Sequence, residues 1–188
     1  MFTTFDQILA FYCAPTLAGI KPASMISYKK AGYRNLSFFI DYYSDKMEYK
    51  GIFFEILQQY PDRTLLLVYR KDLLATVLST PESQHFLAQY GYNDCLSLPN
   101  ALKQLKIRIQ ESPQFPHEVG IFLGYPLEDI ISFIKNKGQK YRLCGYWKVY
   151  TDTDKAKKIF FQYNRCRKLF FNLLDNKISI MQLLDATI

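Results

Sequence analysis

Two β-rich runs, Gly51–Gln58 and Thr64–Arg70, flank the short connection Tyr60-Pro61-Asp62-Arg63. Proline presets one backbone angle and aspartate bonds its own backbone, so this connection predicts a hairpin between the runs. Around it the chain alternates between helical and extended patterns. Thr3 or Thr4 is placed to cap a first short helix carrying Phe5, Ile8, Leu9 and Tyr12 at helical spacing, and Pro15, Gly19 and Pro22 predict a loop after it. Met25–Tyr28 reads as a short strand and Asn35–Met47 as a helix. Lys71–Ser79 and Pro81–Tyr90 read as two short helices, and Ser97-Leu98-Pro99 opens a longer one to about Glu111. Val119–Leu123 reads as a buried strand, the stretch from Pro126 to Gly138 as a helix, and Arg142–Tyr150 as the last strand, so that 119–150 offers one parallel pair. Lys155–Leu174 is an amphipathic helix with Ile159, Tyr163, Cys166, Phe170 and Leu173 on one stripe, and a short helix around Ile180–Leu184 follows. The expected class is α+β (mixed α/β): a single domain over 1–188, with a roughly five-stranded mixed sheet packed by about seven helices.

Composition narrows the class further. Hydrophobic residues make up 49% and charged residues 22% of 188, which suits a folded domain and argues against disorder. The 15 Tyr and 15 Phe imply a core built largely from rings. Apolar stretches such as Leu65–Tyr69 fall far short of the ~20 residues of a spanning helix. Met1-Phe2-Thr3-Thr4-Phe5-Asp6 has no positive leader pattern and is not expected to be a signal peptide. Cys13, Cys95, Cys144 and Cys166 show no C-x-x-C spacing and read as reduced thiols, so the expected compartment is the cytoplasm, with no membrane partner.

The net charge of +7 is concentrated in one place. Between Lys135 and Lys168, eleven basic residues face only Asp152 and Asp154, giving +9 there and −2 in the rest of the chain. With Tyr141, Tyr146, Trp147 and Tyr150 interleaved, this segment suits a phosphate track beside a stacking platform. The bland alternative makes Lys155, Lys158, Arg165 and Lys168 the solvated face of a helix, and no RRM, KH or helix-turn-helix signature is present.

Three segments are more distinctive than the rest: Cys13-Ala-Pro-Thr-Leu-Ala-Gly-Ile-Lys-Pro-Ala-Ser24, Phe115-Pro-His-Glu-Val-Gly-Ile-Phe-Leu-Gly-Tyr-Pro-Leu-Glu-Asp129 and Cys144-Gly-Tyr-Trp-Lys-Val-Tyr150. Together they resemble the signature segments of a bacterial family, number 3793 among the domains of unknown function, over nearly the whole chain. The resemblance implies a bacterial single-domain protein with no activity, cofactor or catalytic residue to carry over.

In the first segment, Cys13 ends the predicted helix, and the loop after it presents Thr16 and Lys21 to a ligand; the bland alternative is a structural turn with Cys13 as buried filler. In the second, His117 is the candidate general acid or base, with Glu118 beside it, since histidine titrates near neutral pH; a structural histidine is the competing reading. Gly124, Tyr125 and Pro126 lead into a helix. A nucleotide cradle is rejected there, because Pro126 removes a donor and Glu128 and Asp129 already fill the dipole end. In the third, strand alternation places Cys144, Tyr146, Lys148 and Tyr150 on one face, and Gly145, Trp147 and Val149 on the other. Lys148 is a candidate ligand-binding lysine. His85 and His117 are the only histidines, and no metal-ligand spacing appears.

The leading expectation is a pocket for a small, anionic molecule lined by the 13–21, 117–125 and 144–148 segments. Cys13, Thr16, Lys21, Glu118, Tyr125, Cys144 and Lys148 would bind, and His117 would transfer a proton. The residues do not decide whether such a site catalyses, and no cofactor is identified. The alternative is a non-enzymatic protein-interaction or oligomerising module with exposed aromatic residues, and the third is nucleic-acid binding through 135–168.

Overall fold

A computed structural model describes residues 4–29, 36–92, 97–112 and 114–185. The chain divides into two compact units: Met1–Leu73 together with Arg165–Ile188, and the intervening Leu74–Asn164.

The first unit is built on the predicted hairpin. Its elements are α1 (Phe5–Leu17), β1 (Ala23–Lys29), α2 (Leu36–Met47), β2 (Ile52–Gln59) and β3 (Arg63–Arg70). Two strands alone bury too little apolar surface to be stable. Here β1 joins β3 on its other side, giving an antiparallel sheet of order β1-β3-β2. The register pairs Met25 with Leu67 and Phe54 with Val68, and a bulge at Leu57 separates the Ile56 and Gln58 pairings. Leu66 and Val68, alternate residues of the central strand, enter a core with Phe5, Leu9, Cys13 and Leu17 of α1. Phe5 stacks on Phe39 of α2, with centroids 5.1 Å apart and planes at 2°. Of the two threonines proposed as caps, Thr4 does the work: its hydroxyl accepts from the Gln7 amide at 3.2 Å. Thr3 and Asn35 lie outside the described residues.

The helix α1 does not stop at Pro15 as the sequence suggests. Proline forfeits a single hydrogen bond close to the helix end. The last turn is recovered by a Schellman closure, with Gly19 N–H donating to the Thr16 carbonyl (3.1 Å) and Ile20 N–H to that of Pro15 (2.9 Å). Arg70 adds a cation to the same helix end, Nε donating to the Thr16 carbonyl at 2.8 Å and Nη2 to that of Leu17. Thus 13–17 is helix, and only Ala18–Pro22 is loop.

The second unit contains most of α3 (Lys71–Ser79), then α4 (Pro81–Ala88), α5 (Leu98–Glu111), α6 (Val119–Phe122), α7 (Leu127–Lys135), β4 (Leu143–Cys144), β5 (Lys148–Val149) and the first half of α8 (Thr153–Asp175). The second half of α8 and α9 (Ile180–Asp185) belong to the first unit. The expected α+β class holds, but the described strands form one three-stranded and one two-stranded sheet in place of a five-stranded mixed sheet.

Two misread segments account for the difference. Val119–Leu123 is a single helical turn: every residue is buried, and periodicity cannot separate a fully buried strand from a fully buried helix. The predicted parallel pair disappears with it. Arg142–Tyr150 is a small hairpin, Leu143 opposite Val149 and Cys144 opposite Lys148, turning through Gly145-Tyr146-Trp147. The turn breaks the expected two-face alternation, so Tyr150 is buried along with Trp147 and Val149, while Cys144 is exposed.

Rings form the core of this unit, as composition implies. Trp147 packs edge-on against Phe160 of α8 at 4.6 Å and stacks on Tyr125 at 5.2 Å, and Tyr146 meets Tyr163 at 5.0 Å. The carboxylate of Asp129, buried at the start of α7, accepts from Trp147 Nε1 (2.8 Å), the amides of Tyr150 (2.8 Å) and Thr151 (3.0 Å), and the Thr151 hydroxyl (3.0 Å). One side chain therefore ties α7 to both the hairpin and the strand exit.

Helix ends repeat one device. Schellman closures follow α4, α6, α7 and α8 as well as α1, with left-handed residues Gly91, Gly124, Lys137 and Lys177. Glycine occupies this position without strain, whereas a lysine there costs about 1 kcal/mol.

Candidate functional site

The predicted site residues divide between the units. Cys13, Thr16 and Lys21 belong to the first; His117, Glu118, Tyr125, Cys144 and Lys148 belong to the second.

In the first unit Cys13 lies inside α1, fully buried in the core. Thr16 is also fully buried; its hydroxyl hydrogen-bonds that of Ser24 at 2.9 Å and its carbonyl receives Arg70. Lys21 is 6% exposed. A cleft of about 480 Å³ opens in this unit beside Leu17, Gly19, Lys50, Arg70, Cys166 and Phe170. Its cations hold the fold together. Lys50 Nζ donates to the Leu184 carbonyl at 2.6 Å and pairs with Asp185 at 3.4 Å, and Arg70 closes α1.

Burial has opposite effects on Cys13 and Lys21. It pushes the thiol up to about 12 and the ammonium down to about 8, with the proximity of the two groups moderating both. Between pH 8 and 9 the unfolded lysine, with its ordinary pKa of 10.5, keeps a proton that the folded one releases, so stability rises with pH. Above pH 9 the unfolded thiol ionises while the folded one does not, which opposes the rise. Lys21→Met removes a buried charge and is expected to raise the unfolding midpoint at pH 7. It should also abolish the rise in stability between pH 8 and 9, at most about 1 kcal/mol, that denaturant titration of the parent protein would show.

The second unit brings His117 and Glu118 to one cleft of about 410 Å³, lined also by Tyr90, Arg108, Phe115 and Ile134. Glu118 precedes the buried turn α6 and is itself 1% exposed. A carboxylate that deep needs a partner, and Arg108, in the last turn of α5, supplies it: Nε donates to Oε1 at 2.8 Å. The guanidinium lies 5.6 Å from the Tyr90 ring centroid, and its hydrogen bond to Glu118 raises its pKa. Burial, and then the nearby Glu118 charge, raise that of Tyr90. Among the described residues, the two terminal amino groups of Arg108 make no hydrogen bond. The side chain is 31% exposed at the cleft.

His117 is exposed at the same opening and meets the Phe133 ring edge-on at 4.9 Å. Lys148 reaches that ring too, with Nζ 5.6 Å from its centroid and 4.9 Å from that of Tyr141. Its Nζ donates to the Gly138 carbonyl at 2.7 Å, which makes it a brace for the 136–142 loop. Tyr125 is half-buried against Trp147, and its hydroxyl pKa is pushed up to about 12 by burial. Cys144 is exposed on the hairpin. Among the described residues, no group of three or more His, Cys, Asp or Glu side chains could hold a metal, and no helix is long and apolar enough to cross a membrane.

Sequence reasoning missed Arg108, Tyr90 and Asp129. Arg108 sits where α5 periodicity gives only a polar position, and its partner is ten residues away. The one available signal was Glu118 itself, an acid directly preceding a wholly apolar run. No curated protein and no solved structure matches this chain. A family model does match, over residues 9–184, and the chain accordingly belongs to the family described as protein of unknown function, DUF3793.

Proposed function

We propose that the cleft of the second unit binds a small carboxylate or phosphate, with Arg108 as anchor and His117 as the adjacent proton-transfer group. The observation that carries this reading is the division of labour on Arg108. Glu118 fixes the guanidinium through Nε, while the side chain lines the cleft partly exposed and its two terminal amino groups make no hydrogen bond among the described residues. A planar fork already held in place loses little entropy on binding, and its two parallel donors match a carboxylate or phosphate edge. Tyr90 and Phe115 supply apolar wall, as pockets for small molecules require. His117 stands at the opening, within the same lining, where it can exchange a proton with a bound acid.

The test is calorimetric titration of the full chain with inorganic phosphate and short mono- and dicarboxylates. Arg108→Lys keeps a charge near Glu118 but loses the fork, and is expected to weaken the best ligand about tenfold or more. His117→Ala, at an exposed position, should leave stability unchanged and weaken binding less. Millimolar inertness of the parent protein toward the whole panel would exclude the reading.

A further inference from the structure

We infer that the basic run Lys135–Arg142, at the end of α7 and in the loop after it, binds single-stranded nucleic acid. From Ile130 to Thr151 the chain carries Lys135, Lys137, Lys140, Arg142 and Lys148 and no acidic residue. Lys135, Lys137, Lys140 and Arg142 are all exposed, and among the described residues none of them forms an ion pair. The first turns of α8 differ. There Lys155, Lys157 and Lys158 follow Asp152 and Asp154, and Lys157 pairs with Asp154 at 3.2 Å, as on an ordinary solvated helix face. Charge alone would suit any polyanion. The aromatic component narrows the partner: Tyr141 lies between Lys140 and Arg142 with 44% of its surface exposed, and a ring in a cationic run offers a base a stacking surface.

The loop is also held ready. Lys137 N–H donates to the Ile134 carbonyl (3.2 Å) and Gly138 N–H to that of Phe133 (2.9 Å), while Lys148 grips the Gly138 carbonyl and lies 4.9 Å from the Tyr141 centroid. A Cβ at Gly138 would stand 3.2 Å from Phe133 and 3.4 Å from Lys148 Nζ, at a φ of +71°. Lys135 and Lys137 also complement the dipole at the end of α7, but Lys140 and Arg142 lie beyond that turn. Backbone phosphates would follow the four exposed cations, with a base on Tyr141. A duplex, whose bases are already stacked, cannot use the ring.

Fluorescence anisotropy of labelled oligo-dT and oligo-rU with the full chain tests this. Four phosphate contacts predict a log–log salt slope near −3, or a loss of about 60-fold between roughly 50 and 200 mM salt. Tyr141→Ala, at an exposed position, should weaken binding about tenfold without changing the slope. Lys137→Gly separates binding from folding: it relieves a left-handed lysine and should raise the melting temperature, yet flatten the slope by about 0.7. Lys177→Gly should give the same gain in melting temperature with binding unchanged. The inference is overturned if Tyr141→Ala binds like the parent, if a duplex of equal length binds as tightly, or if the chain binds phosphatidylserine vesicles and not oligonucleotides.

Discussion

Asp129→Ala is expected to destabilise the protein by about 4 kcal/mol or more, which would show as a large drop in the urea midpoint. Its carboxylate serves four donors, of which the Trp147 indole N–H and the Tyr150 amide are bonded in a buried setting and the Thr151 amide and hydroxyl in a part-buried one. Each hydrogen bond to a charged acceptor contributes about 1.5–3 kcal/mol, and each donor left dry carries its own desolvation cost. Total stability of an ordinary domain is only about 5–15 kcal/mol, so the loss would be a large share of it. Asp129→Asn should fall between the two, because its amide nitrogen must face at least one donor in place of an acceptor. Near-parent stability for Asp129→Ala would mean that the four bonds do not hold the hairpin to α7.

Gly145→Ala is expected to have the second-largest effect, about 3 kcal/mol, with loss of the near-ultraviolet signal of Trp147. A Cβ at this position would lie 2.2 Å from Cε2 and 2.5 Å from Cδ2 of Phe160, inside any tolerable contact. Phe160 is 9% exposed and held by Trp147 and Tyr146, so the ring cannot swing clear without opening the aromatic cluster. Overpacking of a filled core typically costs about 1–3 kcal/mol, and the rigidity of a ring places this case at the upper end. Phe160→Leu in the Gly145→Ala background should recover part of the loss. Failure to do so would place the clash elsewhere.

What the sequence discloses about this fold depends on how local the cause is. The β2–β3 hairpin was legible because its turn residues and flanking β-formers are contiguous. So were α5 and α8, whose apolar stripes repeat over several turns. Pro15 misled because a breaker near a helix end costs one hydrogen bond, and Arg70, 54 residues away from Thr16, restores the end. Val119–Leu123 misled because burial on all sides erases the pattern that separates strand from helix. The third segment misled because Gly145 forms a turn where alternation suggested a continuous strand. At the candidate site, His117 and Glu118 were legible from their residue types, whereas Arg108 becomes visible only when α5 is placed beside the 115–118 approach. The same holds for Asp129, which reads as an ordinary first-turn acid until its partners 18 to 22 residues later fold over it.

The first unit takes residues from both ends of this chain, with the second inserted between them. During synthesis, Phe170, Ile180 and Leu184 leave the ribosome long after α1 and the sheet whose core they complete. The early-made sheet must therefore wait, its apolar surface partly uncovered, while the whole inserted unit is produced. A ribosome that stalls near residue 164 would release a chain in which the second unit is whole and the first is not.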